Sequence, residues 1–172
     1  MTKILLIRHG ETVWNKEKRY QGQKDSPLSD EGIRQGQKTG AFLAQQEIAA
    51  VYSSDLSRAV WTAEAISGHH GLTPIQDQRI REMSFGVWEG MTREEIKQKF
   101  PDIFYARYRD SMNIRVPGGE LPHEVVERFH AFLNELIKTH VSETVVVVSH
   151  GGCLRFTIAA LLSIPLEKSY CL

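Results

Sequence analysis

Two short segments, residues 4–7 and 144–148, consist almost entirely of aliphatic and β-branched side chains. Continuous apolar runs of this length are typical of strands covered on both faces, as in a parallel sheet between two layers of helices. A third run, residues 49–53, has the same character but is shorter and weaker. The pattern therefore predicts three buried strands.

Helical periodicity fills the intervals between these strands. Ser29 is a typical N-cap for a helix extending to about residue 46. Further helices are predicted over residues 56–67, 120–140 and 152–162, with short ones near 93–99 and 102–110; the segment 120–140 carries the clearest amphipathic stripe. Strands that alternate with helices predict an α/β fold, here a three-layer sandwich with a largely parallel central sheet flanked by helices.

Length, charge and cysteine content exclude several classes of function for this chain. The chain has 172 residues, 21 basic against 21 acidic side chains, and no linker or repeat that would divide it, so we expect one domain over 1–172. A net charge of zero argues against nucleic-acid and membrane partners. No apolar stretch approaches the ~20 residues of a membrane span. Two cysteines form neither a disulfide framework nor a metal-ligand spacing, and the expected location is the cytoplasm.

The chemistry-bearing residues follow the predicted strands. His9 and His150 each stand directly after a strand and before a glycine, while Arg8 precedes one of them and Arg58 follows the third strand. The carboxyl ends of parallel strands share one edge of a sheet, so these side chains are expected to meet in one cleft. Arginines favour a phosphate or carboxylate ligand, and a neutral imidazole is a capable nucleophile towards phosphorus. Glu82 is the candidate proton donor for a leaving oxygen; Glu11 and Glu89 are secondary candidates.

Several short motifs, in order along nearly the whole chain, match one known family. They are Leu6-Ile7-Arg8-His9-Gly10-Glu11-Thr12 with Asn15, Gln21-Gly22, Tyr52-Ser53-Ser54-Asp55-Leu56-Ser57-Arg58-Ala59, Arg81-Glu82-Met83-Ser84-Phe85-Gly86, Pro117-Gly118-Gly119-Glu120 and Val148-Ser149-His150-Gly151-Gly152. On these blocks the chain resembles the histidine phosphatase superfamily in its phosphoglycerate-mutase-like branch. The resemblance implies a phosphoglycerate-mutase-like fold.

The resemblance also implies a role for each matching residue. His9 would be the nucleophile that carries a transient phosphohistidine, and Glu82 would exchange the proton with the leaving oxygen and with water. Contacts to the phosphoryl group or the rest of the substrate are implied for Arg8, Arg58, His150, Asn15, Gln21, Gly22 and Gly151. The family uses neither a metal nor an organic cofactor for this chemistry.

The spacing within the chain favours a phosphatase. Glu82 and His150 are 68 positions apart, which resembles the shorter phosphatase branch rather than the mutases with their longer insertion. The expected substrate is a small phosphorylated metabolite whose identity depends on loops that the sequence cannot place. A mutase-type phosphoryl transfer and a non-catalytic phosphate-binding module stay open as alternatives.

The chain departs from the family at its carboxyl end. The family continues beyond the helix after the second histidine into a further strand, whereas this sequence ends at Ser169-Tyr170-Cys171-Leu172. Either this is a short member of the family, or a carboxyl-terminal piece that includes this strand is missing. An unpaired sheet edge would favour a homodimer that covers it.

Overall fold

A computed structural model describes residues 1–172, and its centre is a four-stranded parallel sheet. The strands are β1 (Lys3–Arg8), β2 (Ala50–Ser53), β3 (Ile75–Gln76) and β4 (Thr144–Ser149), in the order β1-β4-β2-β3. β4 is paired on both sides: its Val146 lies opposite Leu5 of β1 on one side and opposite Val51 of β2 on the other. The predicted parallel sheet is therefore confirmed, and all of its pairings are parallel.

Seven α-helices surround or cap this sheet. They are α1 (Val13–Lys16), α2 (Asp30–Leu43), α3 (Ser57–Ser67), α4 (Arg93–Lys99), α5 (Pro101–Arg109), α6 (Pro122–Thr139) and α7 (Gly151–Leu161). Short 3-10 turns lie at Gly68–His70, Gln78–Ile80, Gly86–Trp88 and Leu166–Cys171. No helix combines the length and the apolarity that crossing a membrane requires.

The valines of β4 divide the core into two layers. Val145 and Val147 pack with the apolar stripe of α6 and with α7, whereas Val146 and Val148 pack with side chains of α2 and α3. All four are fully buried, because successive side chains of a strand point to opposite faces and both faces are covered. The predicted three-layer sandwich is confirmed.

Local sequence explains where several helices begin. The Ser29 hydroxyl accepts a hydrogen bond from the Gly32 N–H, as predicted for the N-cap of α2. α6 begins at Pro122, two residues after the predicted start, because proline lacks an N–H and suits the first helical position. α2 ends at Leu43, three residues before the predicted end.

Two elements were not predicted. β3 is only two residues long and both are exposed, so no apolar run marks it. α1 is a single turn held by a capping box in which Thr12 and Asn15 bond reciprocally, a feature of polar side chains that hydrophobic periodicity does not report.

A smaller apolar cluster lies beside the main core. Trp88, Ile96, Phe104 and Val116 are buried together where α4 and α5 meet the loops around them, and Tyr20 and Phe85 pack against this cluster. Tyr20 and Phe85 contact each other edge to face with ring centroids 5.0 Å apart. These two rings form one wall of the main cavity described below.

Two of the three glycines spaced four residues apart on α2 let this helix pack closely against its neighbours. A Cβ at Gly40 would lie 2.1 Å from the Ala65 carbonyl oxygen of α3, and one at Gly32 would lie 2.0 Å from the Glu11 carbonyl oxygen after β1. At Gly36 the nearest atom to a new Cβ would be the Ala65 Cβ, at 3.7 Å. Gly32 and Gly40 therefore permit close packing, whereas Gly36 has room for a methyl group.

This difference predicts opposite effects of one substitution at two glycines of the same helix. Gly40→Ala should lower the free energy of unfolding by about 1–3 kcal/mol because the methyl group meets rigid backbone. Gly36→Ala should leave it unchanged or raise it by up to about 1 kcal/mol because alanine favours the helix. Urea unfolding of both variants beside the wild type measures the difference, and equal stability of the two variants would contradict the packing described here.

Candidate active site

The carboxyl ends of β1, β4 and β2 meet at one edge of the sheet, and the candidate residues meet there. Arg8 pairs with Ser149 and Val148 with Ser53, so the three strands end level with one another. The His9 N–H, just beyond β1, donates to the Ser149 carbonyl oxygen at 3.0 Å. The rings of His9 and His150 lie edge to face with centroids 5.0 Å apart.

A cavity of about 700 Å³ opens at this edge. All but one of the predicted site residues line it: Arg8, His9, Asn15, Gln21, Gly22, Arg58, Glu82 and Gly151. The exception, His150, lies fully buried beside His9. The structure thus brings the predicted residues together around one space.

His9 is held in a defined tautomer. Its Nδ1 lies 2.7 Å from the carbonyl oxygen of Gly10, an acceptor only, so Nδ1 carries the proton and donates it. The other ring nitrogen, Nε2, therefore keeps its lone pair. Burial, reinforced by the positive charges of Arg58 and Arg8, lowers the pKa of His9 to about 3. The imidazole is consequently neutral at physiological pH, which is the form that acts as a nucleophile.

His150 is a buried imidazole with no hydrogen-bond partner in the protein. Both of its ring nitrogens are inaccessible and unpaired. Complete burial, together with the positive charges of Arg58, Arg128 and Arg8, holds the pKa of His150 well below its usual range. Buried polar atoms are nearly always paired, so an unpaired ring beside a cavity is a candidate for binding a ligand.

Arg58 is 1% exposed and binds the loop that follows α1. Its terminal nitrogens donate to the carbonyl oxygens of Gly22, at 2.7 Å, and Lys24, at 2.9 Å, and one of them also contacts the Asp25 carboxylate at 3.1 Å. The Nε of Arg58 is buried without a partner. Burial lowers the pKa of Arg58, and Asp25 and Glu82 oppose that shift. An arginine keeps its proton in such surroundings, so a positive charge lies inside the site.

The side-chain NH₂ group of Asn15 forms no hydrogen bond within the protein. Its Oδ1 accepts the Thr12 N–H at 3.0 Å and the Thr12 hydroxyl at 3.1 Å as part of the capping box of α1. This use of the oxygen orients the side chain and leaves the NH₂ group as a donor on a residue that lines the cavity.

Glu82 lies over the amino terminus of α7. Its Oε1 accepts the N–H groups of Met83, at 2.8 Å, and Cys153, at 2.9 Å, and its Oε2 accepts the Gly152 N–H at 3.1 Å. A Cβ at Gly152 would lie 2.7 Å from Oε1, so the glycine lets the carboxylate approach the helix. Gly151 does the same for Arg8, whose Nε is 3.2 Å from where a Cβ would be.

The two secondary acid candidates do not line the cavity. Glu89 is buried under the loop of Gln21 and Gly22, where its Oε1 accepts the N–H groups of Gln23 at 3.0 Å and Phe85 at 2.9 Å. Gly22 has a φ of 56°, and a Cβ there would lie 2.1 Å from that same oxygen. Glu89 therefore anchors the loop. Glu11 accepts the Ser29 hydroxyl at 2.7 Å.

The sequence assigns no site role to the other nine residues of the cavity wall, although two of them, Phe85 and Gly152, belong to the matched motifs. These nine are Lys18, Arg19, Tyr20, Phe85, Gly152, Leu154, Arg155, Ile158 and Leu172. The helical spacing of Gly151, Arg155 and Ile158 on α7 is the signal that could have found part of this set. With these residues the cavity carries five Lys or Arg side chains and one acidic side chain, Glu82. A chain of zero net charge therefore contains a strongly positive cleft.

Metal-binding side chains do not cluster here or elsewhere in the chain. No group of three or more His, Cys, Asp and Glu side chains has an arrangement that could hold a metal ion.

Comparison with known proteins gives the class that this fold and site define. Residues 4–172 match the profile of the histidine phosphatase superfamily, branch 1. The chain belongs to the histidine phosphatase superfamily, and the resemblance drawn from its motifs is confirmed. Membership places it among phosphatase enzymes.

Individual relatives cover most of the chain. It is 38% identical over 168 residues to phosphoserine phosphatase 1 of Hydrogenobacter thermophilus, an alignment covering 98% of this chain and 80% of that protein. It is 35% identical over 165 residues to a protein of Yersinia pestis named "Probable phosphoglycerate mutase GpmB", with 96% and 77% covered. The solved structure of Bacillus stearothermophilus YhfR superposes with a TM-score of 0.94 at 36% identity, covering 100% of this chain and 85% of that one.

The low pKa of His9 predicts how stability changes with pH. Between pH 6.5 and about pH 3 the unfolded state binds a proton on this histidine that the folded state does not. The free energy of unfolding should therefore fall as the pH falls, by up to about 1.4 kcal/mol per pH unit from His9. His9→Gln cannot titrate there and should show a shallower decline.

Urea unfolding across this pH range provides the measurement. His123→Gln, at an exposed position on α6, controls for the removal of one histidine. Parallel stability curves for the wild type and His9→Gln would contradict a buried, neutral His9.

Proposed function

We propose that this phosphatase hydrolyses small phosphomonoesters without a metal, through a phosphohistidine on Nε2 of His9. The observation that carries the proposal is the hydrogen bond from His9 Nδ1 to the Gly10 carbonyl oxygen. It fixes the tautomer in which Nε2 is unprotonated, at the edge of a cavity rich in donors to a phosphoryl group. Such a nitrogen needs no general base before it attacks.

The surrounding donors suit a phosphoryl group that carries charge on its oxygens. Arg8 and the free Asn15 amide lie on the cavity wall, and the unpaired nitrogens of Arg58 and His150 are buried close to His9. In a site sheltered from water, preorganised donors of this kind stabilise the charge of phosphoryl transfer. Arginine cations then serve the electrostatic purpose that a metal ion serves in other phosphatases.

In the first step, the Nε2 lone pair of His9 forms a bond to phosphorus while the ester P–O bond breaks. The departing oxygen takes a proton from the Glu82 carboxyl group and leaves as an alcohol. The bonding pair of the broken bond stays on that oxygen. The phosphoryl group is then carried by His9 as a phosphohistidine.

In the second step, Glu82 is a carboxylate and takes a proton from water as the water oxygen attacks phosphorus. The N–P bond breaks, its electrons return to Nε2, and inorganic phosphate leaves with Glu82 protonated again. The N–H groups of Met83, Gly152 and Cys153 hold the Glu82 carboxyl group in a fixed position for both steps. One residue thus serves as acid and then as base.

The named relatives indicate the substrate class and one alternative function. The relative named as a phosphoserine phosphatase supports a small phosphomonoester, and the relative named as a phosphoglycerate mutase keeps phosphoryl transfer between hydroxyl groups as a second candidate. A non-catalytic binding module is disfavoured, since binding alone needs neither an oriented nucleophile nor an acid. Release of phosphate measured beside interconversion of 2- and 3-phosphoglycerate separates these functions.

The proposal predicts how Glu82→Gln responds to the leaving group. With alkyl phosphates, whose alkoxides need a proton, kcat should fall by about 10²–10⁴-fold. With p-nitrophenyl phosphate, whose leaving group departs unprotonated, the first step should be slowed much less. A pre-steady-state burst of p-nitrophenol measures that step, because the variant is also slow in the second one.

The controls for this experiment test the other two parts of the proposal. His9→Ala should abolish turnover of both kinds of ester while inorganic phosphate still binds, and a chelator should leave the wild-type rate unchanged. Normal hydrolysis by His9→Ala, loss of the rate with the chelator, or an equal effect of Glu82→Gln on both leaving groups would each contradict the corresponding assignment.

A further inference from the structure

Arg155 lies between two cavities. It lines the active-site cavity and also a second one of about 660 Å³, which is bounded by Trp88, Phe104 and Tyr108 among others. Tyr20 and Phe85 also line both cavities, so the two cavities adjoin along a wall formed by these three residues.

The guanidinium of Arg155 has no anionic partner. Its Nε is buried without a hydrogen bond, and the group lies over the Phe156 ring with Cζ 5.4 Å from the centroid. Two other arginines of the active-site cavity are paired, Arg19 with Glu17 and Glu95, and Arg58 with Asp25. Arg8, like Arg155, forms no ion pair, but it lies beside the start of α7 where the phosphoryl group is proposed to bind. A partly buried cation without a counter-charge is costly, so its position favours an anionic ligand.

The face of α7 shows how such a ligand would lie. Gly151, Arg155 and Ile158 follow at helical spacing and all line the active-site cavity. Arg155 is four residues, about 6 Å along the helix axis, from Gly151, the glycine beside Arg8. A phosphoryl group at the start of α7 would therefore leave a second anion, two or three carbon atoms away, within reach of Arg155.

Each of the two cavities is lined by one acidic side chain, and neither of them neutralises Arg155. Glu167 lines the second cavity but forms no ion pair with Arg155, and Glu82 is bonded to the backbone at the start of α7. The planar guanidinium fork matches the two oxygens of a carboxylate or a phosphate.

We infer that Arg155 is a specificity residue that binds an oxyanion on the leaving group, so that the preferred substrates are short phosphomonoesters bearing a second anionic group. This inference rests on the proposed phosphatase function, since it names the substrate class of the same site. A carboxylate and a second phosphate share the relevant chemistry, and matched esters distinguish them.

The test compares pairs of esters that differ only in the second anion. Phosphoserine against phosphoethanolamine varies a carboxylate, and propane-1,3-diol bisphosphate against its monophosphate varies a phosphate. For at least one pair, the wild type should favour the anionic member in kcat/KM. Arg155→Gln should reduce that preference by about 10- to 100-fold, the range of a lost charge-assisted hydrogen bond.

Two further variants separate a direct contact from general electrostatics. Arg155→Lys keeps the charge without the fork and should restore part of the preference. Arg93→Gln removes a cation from the second cavity, where it lies over Phe104 and Tyr108, and should leave the preference unchanged. No preference in the wild type, or equal losses in Arg155→Gln and Arg93→Gln, would overturn the inference.

Equilibrium binding keeps this result independent of turnover. Calorimetry on His9→Ala and on His9→Ala with Arg155→Gln measures the affinity for the same esters. If the anionic ester binds more tightly and the second substitution removes the difference, the inference stands even where no ester is hydrolysed, and only the proposed function fails. Equal affinities in His9→Ala would overturn the inference while hydrolysis by the wild type upheld the function.

Discussion

The parallel register of β1, β4 and β2 is the constraint on which the site depends. Because Arg8 is level with Ser149, and Ser53 with Val148, the chain leaves all three strands at one edge of the sheet. His9, His150 and the helix carrying Arg58 follow within a few residues of those strand ends. A slip of one residue in any pairing would turn these side chains to the opposite face. The fully buried valines of β4, packed from both sides, make such a slip costly.

Buried positive charge gives this edge its chemistry. Arg58 is nearly inaccessible, and its charge helps to keep His9 and His150 neutral. The same charge favours a phosphoryl group, so the interaction that prepares the nucleophile also attracts its target. Backbone groups complete the arrangement, since Gly10 orients His9 and the start of α7 holds Glu82. A chain with equal numbers of acidic and basic residues thereby concentrates its cations at one cavity.

The sequence predicted those elements and site residues that a short local pattern determines. The continuous apolar runs predicted β1 and β4, and the matched motifs predicted eight of the 17 residues that line the cavity. It failed where tertiary contacts decide: β3 has two exposed residues, and Glu89, a candidate acid, serves as the anchor of the Gln21–Gly22 loop. The sequence did not indicate Arg155 as a site residue, because its lack of an acidic partner depends on tertiary contacts in the folded chain. The single domain, the homodimer and the cytoplasmic location stay predictions.

The position of the phosphoryl group on the enzyme tests the central claim most directly. Wild-type protein mixed with p-nitrophenyl phosphate, quenched in base and analysed by mass spectrometry and ³¹P–¹⁵N NMR, reveals both the residue and the nitrogen that carry it. The hydrogen bond from Nδ1 to the Gly10 carbonyl oxygen predicts phosphorylation of His9 at Nε2. Phosphorylation at Nδ1 or on another residue, or hydrolysis without a phosphoenzyme, would contradict the account.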